Sequence, residues 1–398
     1  MNLNFFTAQF PYGNGETIIE NELPIIVNEF DNLKIFTHTH SHTITRVIPQ
    51  EVKVIQISQF NLKTKLSLYY KIVIVYFFLI ELFKAANKLF YLKKYKYWLS
   101  LLKQAALKAQ HIEKNNLLLP KAINYSYWMN DWALTLTFLR KKGVINNFVF
   151  RCGGFDIWNE RHEGGYLPFR GLIYKYAGKI MPNTQIAEKY IKSLKLYPQK
   201  VQYKYLGTTD YGLGKFELEN DLTIVSISNV IALKRVELII DILKQVNINI
   251  KWVHFGDGNL LDDIKQKAKK ISSKHKVIFK GEVPNKEIIE FFKTHTVHML
   301  ISTSSTEGLP VSMQEAISFG VPIIATNVGG VSEIVNHNTG LLLDKNFDIN
   351  KPAKFINEFN NSEFNTMSKR IEIREFWNKR FNAQNIYTEF SKELKKLL

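Results

Sequence analysis

The sequence predicts an α/β protein made of two doubly wound parallel-sheet domains, and three observations carry that prediction. Short apolar runs alternate with longer helical patterns along most of the chain, as in parallel sheets with crossover helices. At 398 residues the chain exceeds one ordinary domain. Two sets of strand-like runs flank a glycine-bearing, aperiodic segment over 207–218. The first set is Leu3–Phe6, Leu33–Thr37, Val52–Ile57, Asn147–Phe150, Lys179–Met181 and Val201–Tyr205. The second is Leu222–Ile227, Trp252–Phe255, Val277–Lys280, His298–Ile301, Pro322–Ala325 and Leu341–Leu343. Gly207, Gly212 and Gly214 mark the segment between them as a connector, with a boundary near residue 210. Residues 1–210 and 211–375 are the two expected domains. The last stretch, 376–398, follows no strand but places Trp377, Phe381, Ile386, Tyr387, Phe390 and Leu394 at helical spacing. It is expected as a C-terminal helix packing back on the N-terminal domain.

An apolar fraction of 45% is that of a globular rather than a disordered chain. Met1–Phe10 reads as a strand entering a loop, not as a charged region followed by an apolar core, so a cytoplasmic protein is expected. Cys152 is the single cysteine, which excludes an internal disulfide and a Cys-rich zinc site. No metal or cofactor site is expected. The formal charge of +17 predicts attraction to a polyanion: nucleic acid, anionic lipid or a phosphorylated substrate. Nucleic acid explains only the charge, because no helix-turn-helix, zinc-finger or aromatic RNA-binding pattern accompanies it.

Between Lys63 and Lys103, aromatic and aliphatic residues are interleaved with Lys65, Lys71, Lys84, Lys88, Lys93, Lys94 and Lys96. Basic and apolar together suit a membrane surface. A helix buried against the N-terminal sheet with its lysines in water fits equally well. The apolar run Ile72–Ile80 is bounded by Lys71 and Glu81 and falls far short of the ~20 residues that a spanning helix needs.

The stretch from Ile301 to Gly320 carries the chemistry. A buried strand ends, a small polar loop holding Glu307 and Gly308 follows, Pro310 stands where a first helical residue would be, and Gly320 closes the helix. Ligands of open α/β sheets bind beyond the carboxyl ends of the strands, and helix N-termini favour phosphate. Glu307 lies just ahead of the helix and Glu315 on its second turn. A carboxylate accepts two hydroxyl hydrogen bonds, so such a pair suits two polyols, a ribose and a hexose. Taken singly, Glu315 also fits a solvated helix position and Glu307 an ordinary loop residue.

The whole string, continuing through Gly320-Val-Pro322 and Gly329-Gly330 to Glu333, resembles the donor-binding signature of the retaining glycosyltransferases of family 4. The resemblance implies a GT-B fold, two Rossmann-like domains facing across a cleft. It also implies transfer from a nucleoside-diphosphate sugar without an obligatory metal. Glu307 would then lie near the sugar hydroxyls, Glu315 would bind the ribose, and the amides around Gly308, Leu309, Pro310 and Val311 would approach sugar and diphosphate. Glu333 would start a helix. Ser226–Ile240 resembles the segment carrying the family's diphosphate-binding Arg and Lys. Lys234 falls on the lysine position, Asn229 replaces the arginine, and Arg235 is the candidate to restore that charge. Gly256 and Val283 match two further strand-to-loop turns, the latter usually cupping the base. The loop with Gly13 and Gly15 resembles the one that closes over donor phosphate. Its glycines let backbone approach a ligand, although an ordinary turn explains them too.

A second departure lies in Phe150–Asp156, which resembles a segment whose histidine contacts the donor sugar; Gly153 stands in its place. Arg151 and Asp156 are the candidate acceptor-binding residues, and an ion pair holding the loop explains them equally. The reading is a transferase with Lys234 and Glu307 as its catalytic residues. It would move a sugar to a glycan or lipid-linked glycan in surface polysaccharide synthesis, at the inner face of the cell membrane. The alternative is a degenerate relative that binds a sugar nucleotide or a partner enzyme without turnover, for which Asn229 and Gly153 are the grounds.

Overall fold

The computed structural model describes residues 1–41, 43–57, 65–85, 94–219, 221–271 and 273–397. The expectations for Lys63, Lys88 and Lys93 fall outside those residues. The chain divides into two compact units, Met1–Tyr205 with Gln384–Leu398, and Leu206–Ala383.

The first unit is built on six parallel strands, β1 (Asn2–Thr7), β2 (Asn32–Thr37), β3 (Lys53–Gln56), β4 (Ala122–Ser126), β5 (Val149–Cys152) and β6 (Lys179–Pro182), in the order β3-β2-β1-β4-β5-β6. Phe6 pairs with Phe36 across β1 and β2, their rings stacked 4.7 Å apart, and both are fully buried. Burial of such a ring contributes about 1.5–3 kcal/mol. Strand β4 was absent from the expected set because Asn124 interrupts its apolar pattern. Asn4 Nδ2 donates to Asn124 Oδ1 at 3.0 Å across β1 and β4, so that polar pair is satisfied inside the sheet. Conversely, Val201–Tyr205 is not a strand. Val201 makes one isolated bridge to Ile180, and the tract runs beside β6 through Gln202 N to Ile180 O and Lys204 N to Pro182 O.

The second unit holds β7 (Leu222–Ile227), β8 (Ile250–Phe255), β9 (His275–Phe279), β10 (Met299–Ser302), β11 (Ile323–Thr326) and β12 (Gly340–Leu343), ordered β12-β11-β10-β7-β8-β9 and all parallel. Numbered within each unit, both sheets have the order 3-2-1-4-5-6 of a doubly wound fold. Such a fold places its ligand crevice where the winding reverses, at the carboxyl ends of β1 and β4 in one unit and of β7 and β10 in the other.

The expected connector is packed on the second unit rather than free. Gly214 N donates to Phe319 O at 3.0 Å, and Arg374 bonds both Asp210 and the Gly212 carbonyl. The expected single helix over 376–398 is two. Met367–Phe381 ends at Asn382, whose φ of −66° and ψ of 119° are not helical, and Ala383–Lys395 follows. Trp377 in the first helix donates to Thr208 within the second unit, whereas Phe390 in the second packs on Tyr125 within the first unit. An apolar spacing that continues through a break hid the change of unit.

Helix Leu68–Ala85 reconciles the two readings of the basic apolar stretch. Tyr70, Val73, Phe77 and Ala85 are buried, while Leu68, Ile72, Val75, Tyr76, Leu79 and Phe83 are exposed on another face. No described helix is long and apolar enough to cross a membrane.

Candidate donor and acceptor sites

At the reversal point of the second unit, the loops after β7 and β10 are laced together. Ser305 N donates to Leu233 O at 2.8 Å, and Thr303 Oγ1 donates to the Arg235 and Lys234 carbonyls at 2.8 and 3.2 Å. This fixes Lys234 opposite Glu307, with Nζ 2.7 Å from Oε1 and both side chains mostly buried. A charge-assisted bond in a partly dry crevice is strong, and a second anion entering there would compete for the same ammonium.

Arg235 does something other than expected. Its φ of +48° turns the side chain back, and its guanidinium donates to the carbonyls of Thr303 at 2.7 Å, Ser304 at 3.4 Å and Lys345 at 2.9 Å. Instead of facing a diphosphate, Arg235 holds the loop that positions Glu307. Asn229 is exposed at the end of β7. Beside it Gly256 has a φ of +136°, and a Cβ there would lie 1.9 Å from Ser228 O, so only glycine fits. Gly256 N donates to Gly281 O at 2.8 Å, which brings the turn holding Val283 alongside.

Helix Val311–Ser318 begins one residue later than expected, with Pro310 as its extended N-cap residue (φ −67°, ψ 117°). Gly308, Leu309 and Val311 therefore surround a helix start, whose first N–H groups have no intrahelical acceptor. Gly320 closes the helix at a φ of +75°. Glu315 is only 6% exposed, which rules out a solvated helix position. Burial pushes its carboxyl up to about 7, against the hydrogen bond from Asn285 Nδ2 to its Oε1 at 2.9 Å. Asn285 went unremarked in the sequence, although it stands directly after Pro284 at the start of helix Asn285–Thr294. Glu333 opens no α-helix; it ends the 3-10 turn Val331–Glu333.

The Gly329 backbone packs on the Glu307 peptide. A Cβ at Gly329 would lie 2.0 Å from Glu307 O, and the φ there is +55°. Gly329→Ala should therefore displace the Glu307 loop and destabilise the second unit by about 2–4 kcal/mol, read as a lower denaturant midpoint at unchanged slope.

In the first unit, the loop after β1 is organised by a residue that the sequence reading passed over. The Glu16 carboxylate accepts the N–H groups of Ala8, Gln9 and Phe10 at 2.9, 2.6 and 2.7 Å and the Trp128 indole at 2.9 Å. It ties the ends of the Gly13–Gly15 turn to the segment after β4, with Gly13 at a φ of +67°. A glutamate nine residues after a strand carries no sequence signal of that role. Arg151, expected near an acceptor, is 1% exposed. It donates to Tyr125 Oη at 2.7 Å and to the Lys204 and Tyr205 carbonyls, near Glu22, so its role is to hold the interior. Asp156 is different. It is half-buried on a cavity of about 720 Å³ lined also by Trp98, Met129, Asp131, Tyr166 and Phe169. Burial raises its carboxyl to about 7, opposed by a hydrogen bond from Met129 N at 3.2 Å and by the Arg170 charge.

Residues 214–376 match the family described as glycosyl transferases group 1. Among curated proteins, Protein CapJ of Staphylococcus aureus is 31% identical over 283 residues, 68% of this chain and 62% of that protein. The N-acetyl-alpha-D-glucosaminyl L-malate synthase of Bacillus anthracis is 26% identical over 216 residues, 53% of this chain and 50% of the enzyme. The chain thus spans between half and two thirds of the length of these curated relatives. Among solved structures, the apo lipopolysaccharide outer core galactosyltransferase WaaB aligns over 100% of both chains with a TM-score of 0.72 at 16% identity. Anabaena HepE in complex with UDP and glucose aligns over 100% of both with a TM-score of 0.67 at 14% identity. The fold is GT-B, two Rossmann-like units, and residues 214–376 carry the match to the group 1 glycosyltransferases.

Proposed function

We propose that the chain transfers a sugar from a nucleoside-diphosphate sugar, with retention at the anomeric carbon, to a glycan or lipid-linked glycan in surface polysaccharide or glycolipid synthesis. The observation that carries this reading is the Lys234–Glu307 pair at the β7/β10 reversal point, with Glu315 buried on the helix that follows. In the reading, the donor diphosphate draws the Lys234 ammonium away from Glu307. The freed Glu307 accepts sugar hydroxyls, Glu315 grips the ribose, and Gly256 and Val283 let backbone meet the base. Lys234 and the N–H groups of Gly308, Leu309 and Val311 then stabilise the charge growing on the leaving diphosphate, which is catalysis by preorganised donors. Asn229 lines the same crevice as a neutral donor. Asp156 in its cavity is the acceptor-side group. UDP bound to a structural relative supports a nucleotide donor.

The test is release of nucleoside diphosphate from a panel of UDP-, GDP-, ADP- and dTDP-sugars, with and without a chelator, because the reading assigns the leaving charge to Lys234 and to no resident metal. One donor should be consumed, chelation should not matter, and the product linkage should keep the donor's anomeric configuration. Binding without release, even with membrane glycolipid added, would favour the non-catalytic alternative that Asn229 and Gly153 suggest.

The reading also places the protein on the inner face of the cell membrane. The exposed face of helix Leu68–Ala85 is apolar from Leu68 to Phe83, and the exposed Lys71 and Lys84 flank it. Apolar contact plus about 1 kcal/mol for each lysine near anionic lipid suits peripheral binding. The protein should float with phosphatidylglycerol vesicles and not with phosphatidylcholine ones, and Leu79→Ser with Phe83→Ser should reduce flotation severalfold. Equal recovery with both vesicles would contradict a charged membrane contact.

A further inference from the structure

Gly153 and Asn183 stand at the carboxyl ends of the adjacent strands β5 and β6, each one residue beyond its strand. Asn183 is 7% exposed, and its backbone is pinned by N–H donation to Cys152 O at 3.1 Å. Its carboxamide makes no hydrogen bond to the described residues, and its polar atoms are not among those sealed from solvent, so the amide is open to a ligand.

The glycine explains where that amide lies. Gly153 has a φ of −161° and a ψ of 158°, extended backbone that any residue adopts, so conformation does not require glycine there. Space does. A Cβ at 153 would stand 2.6 Å from Asn183 Nδ2, 3.0 Å from its Cγ and 3.1 Å from its Oδ1. The carboxamide lies across the volume that a side chain at 153 would fill. The two residues therefore form a matched pair, and the glycine is not simply a lost functional group.

We propose that Asn183 is a ligand-binding residue that hydrogen-bonds a hydroxyl of the sugar substrate, in the space that Gly153 leaves open. The inference rests on the transferase reading. A carboxamide offers one acceptor and two donors with no charge, which matches a hydroxyl that both gives and accepts. A phosphate would call for a cation. The position beyond the carboxyl ends of parallel strands is where such folds present ligand contacts. The hydroxyl belongs to the donor sugar or to the acceptor sugar, and the chemistry is the same for both.

The experiment compares wild type, Asn183→Ala and Gly153→Ala with the turned-over donor and its acceptor, each also as a set of monodeoxy analogues. Asn183→Ala should lower kcat/KM about 5- to 30-fold, with affinity for the free nucleoside diphosphate unchanged. Gly153→Ala should do the same by pushing the carboxamide aside. For one deoxy analogue, the wild type should fall to the rate of Asn183→Ala, and that variant should lose nothing further. A deoxy donor showing this pattern, also in hydrolysis without acceptor, assigns the hydroxyl to the donor; a deoxy acceptor assigns it to the acceptor. Wild-type kcat/KM in Asn183→Ala, or equal losses in both proteins with every analogue, overturns the proposal alone. Absence of turnover in the wild type overturns the transferase reading and this proposal with it.

Discussion

Lys234→Ala should cut sugar transfer by about 10²–10³-fold, chiefly in kcat, since removal of one preorganised donor to developing charge typically costs that much. The ammonium is held 2.7 Å from Glu307 in a mostly buried position, so its placement is built before any donor arrives. Alanine removes the cation and also leaves the Glu307 carboxylate partly buried without its counter-ion, which disfavours a dianionic ligand further. Lys234→Ala with Glu307→Gln should accordingly bind free nucleoside diphosphate better than Lys234→Ala alone while remaining slow in transfer. Steady-state kinetics with titration of the free diphosphate separates the two effects. Full activity in Lys234→Ala would remove the residue from the mechanism.

Glu315→Gln should weaken donor binding about 10- to 100-fold at pH 8, as loss of hydrogen bonds to a charged group worth about 1.5–3 kcal/mol implies. The same substitution should raise stability at that pH. Burial lifts the Glu315 carboxyl from an ordinary 4.5 to about 7, so the folded protein holds this proton more tightly than the unfolded chain does. The stability that follows is fully present below about pH 4.5 and is lost as pH rises through about 7. At pH 8 the buried carboxylate is ionised at a cost that glutamine does not carry, so the variant's Tm should exceed wild type by a few degrees; at pH 5 the advantage should vanish. Donor affinity should run the other way in the wild type, falling below about pH 7 as the carboxylate that accepts two ribose hydroxyls is protonated. Thermal melts and donor titrations at pH 5, 7 and 8 check both signs.

Much of the fold was legible because both sheets are wound from apolar strands with glycine-marked turns, and each winding places its loops by the same rule. The exceptions have physical causes. Strand β4 hides because the buried Asn4–Asn124 pair breaks its apolar run, and Val201–Tyr205 looks like a strand because its extended backbone lies along β6 without joining the sheet. The chain changes unit after Ala383, inside an uninterrupted apolar spacing that encodes burial but not its partner.

At the candidate site, Glu307 and Glu315 were singled out around a strand end and a helix start and Lys234 through the resemblance of Ser226–Ile240; the structure pairs Lys234 with Glu307 and buries Glu315. The roles of Arg235 and Arg151 were left open because a cation in sequence shows its charge and not its direction: one is turned onto carbonyls by a left-handed backbone, the other is sealed in the interior. Asn285 and Asn183 were missed because what they lie against, Glu315 and Gly153, is distant in sequence, and Glu16 because its bonds to the Ala8, Gln9 and Phe10 N–H groups depend on how the loop between them turns.

The central claim is that the donor binds on Lys234, Glu307 and Glu315, and a crystal structure with the donor that the panel identifies tests it most directly. The account predicts the ribose hydroxyls on the Glu315 carboxylate, the diphosphate on Lys234 and the N–H groups of Gly308, Leu309 and Val311, and the Lys234–Glu307 bond opened. A nucleotide bound elsewhere, or one bound with that ion pair intact and Glu315 untouched, would contradict it.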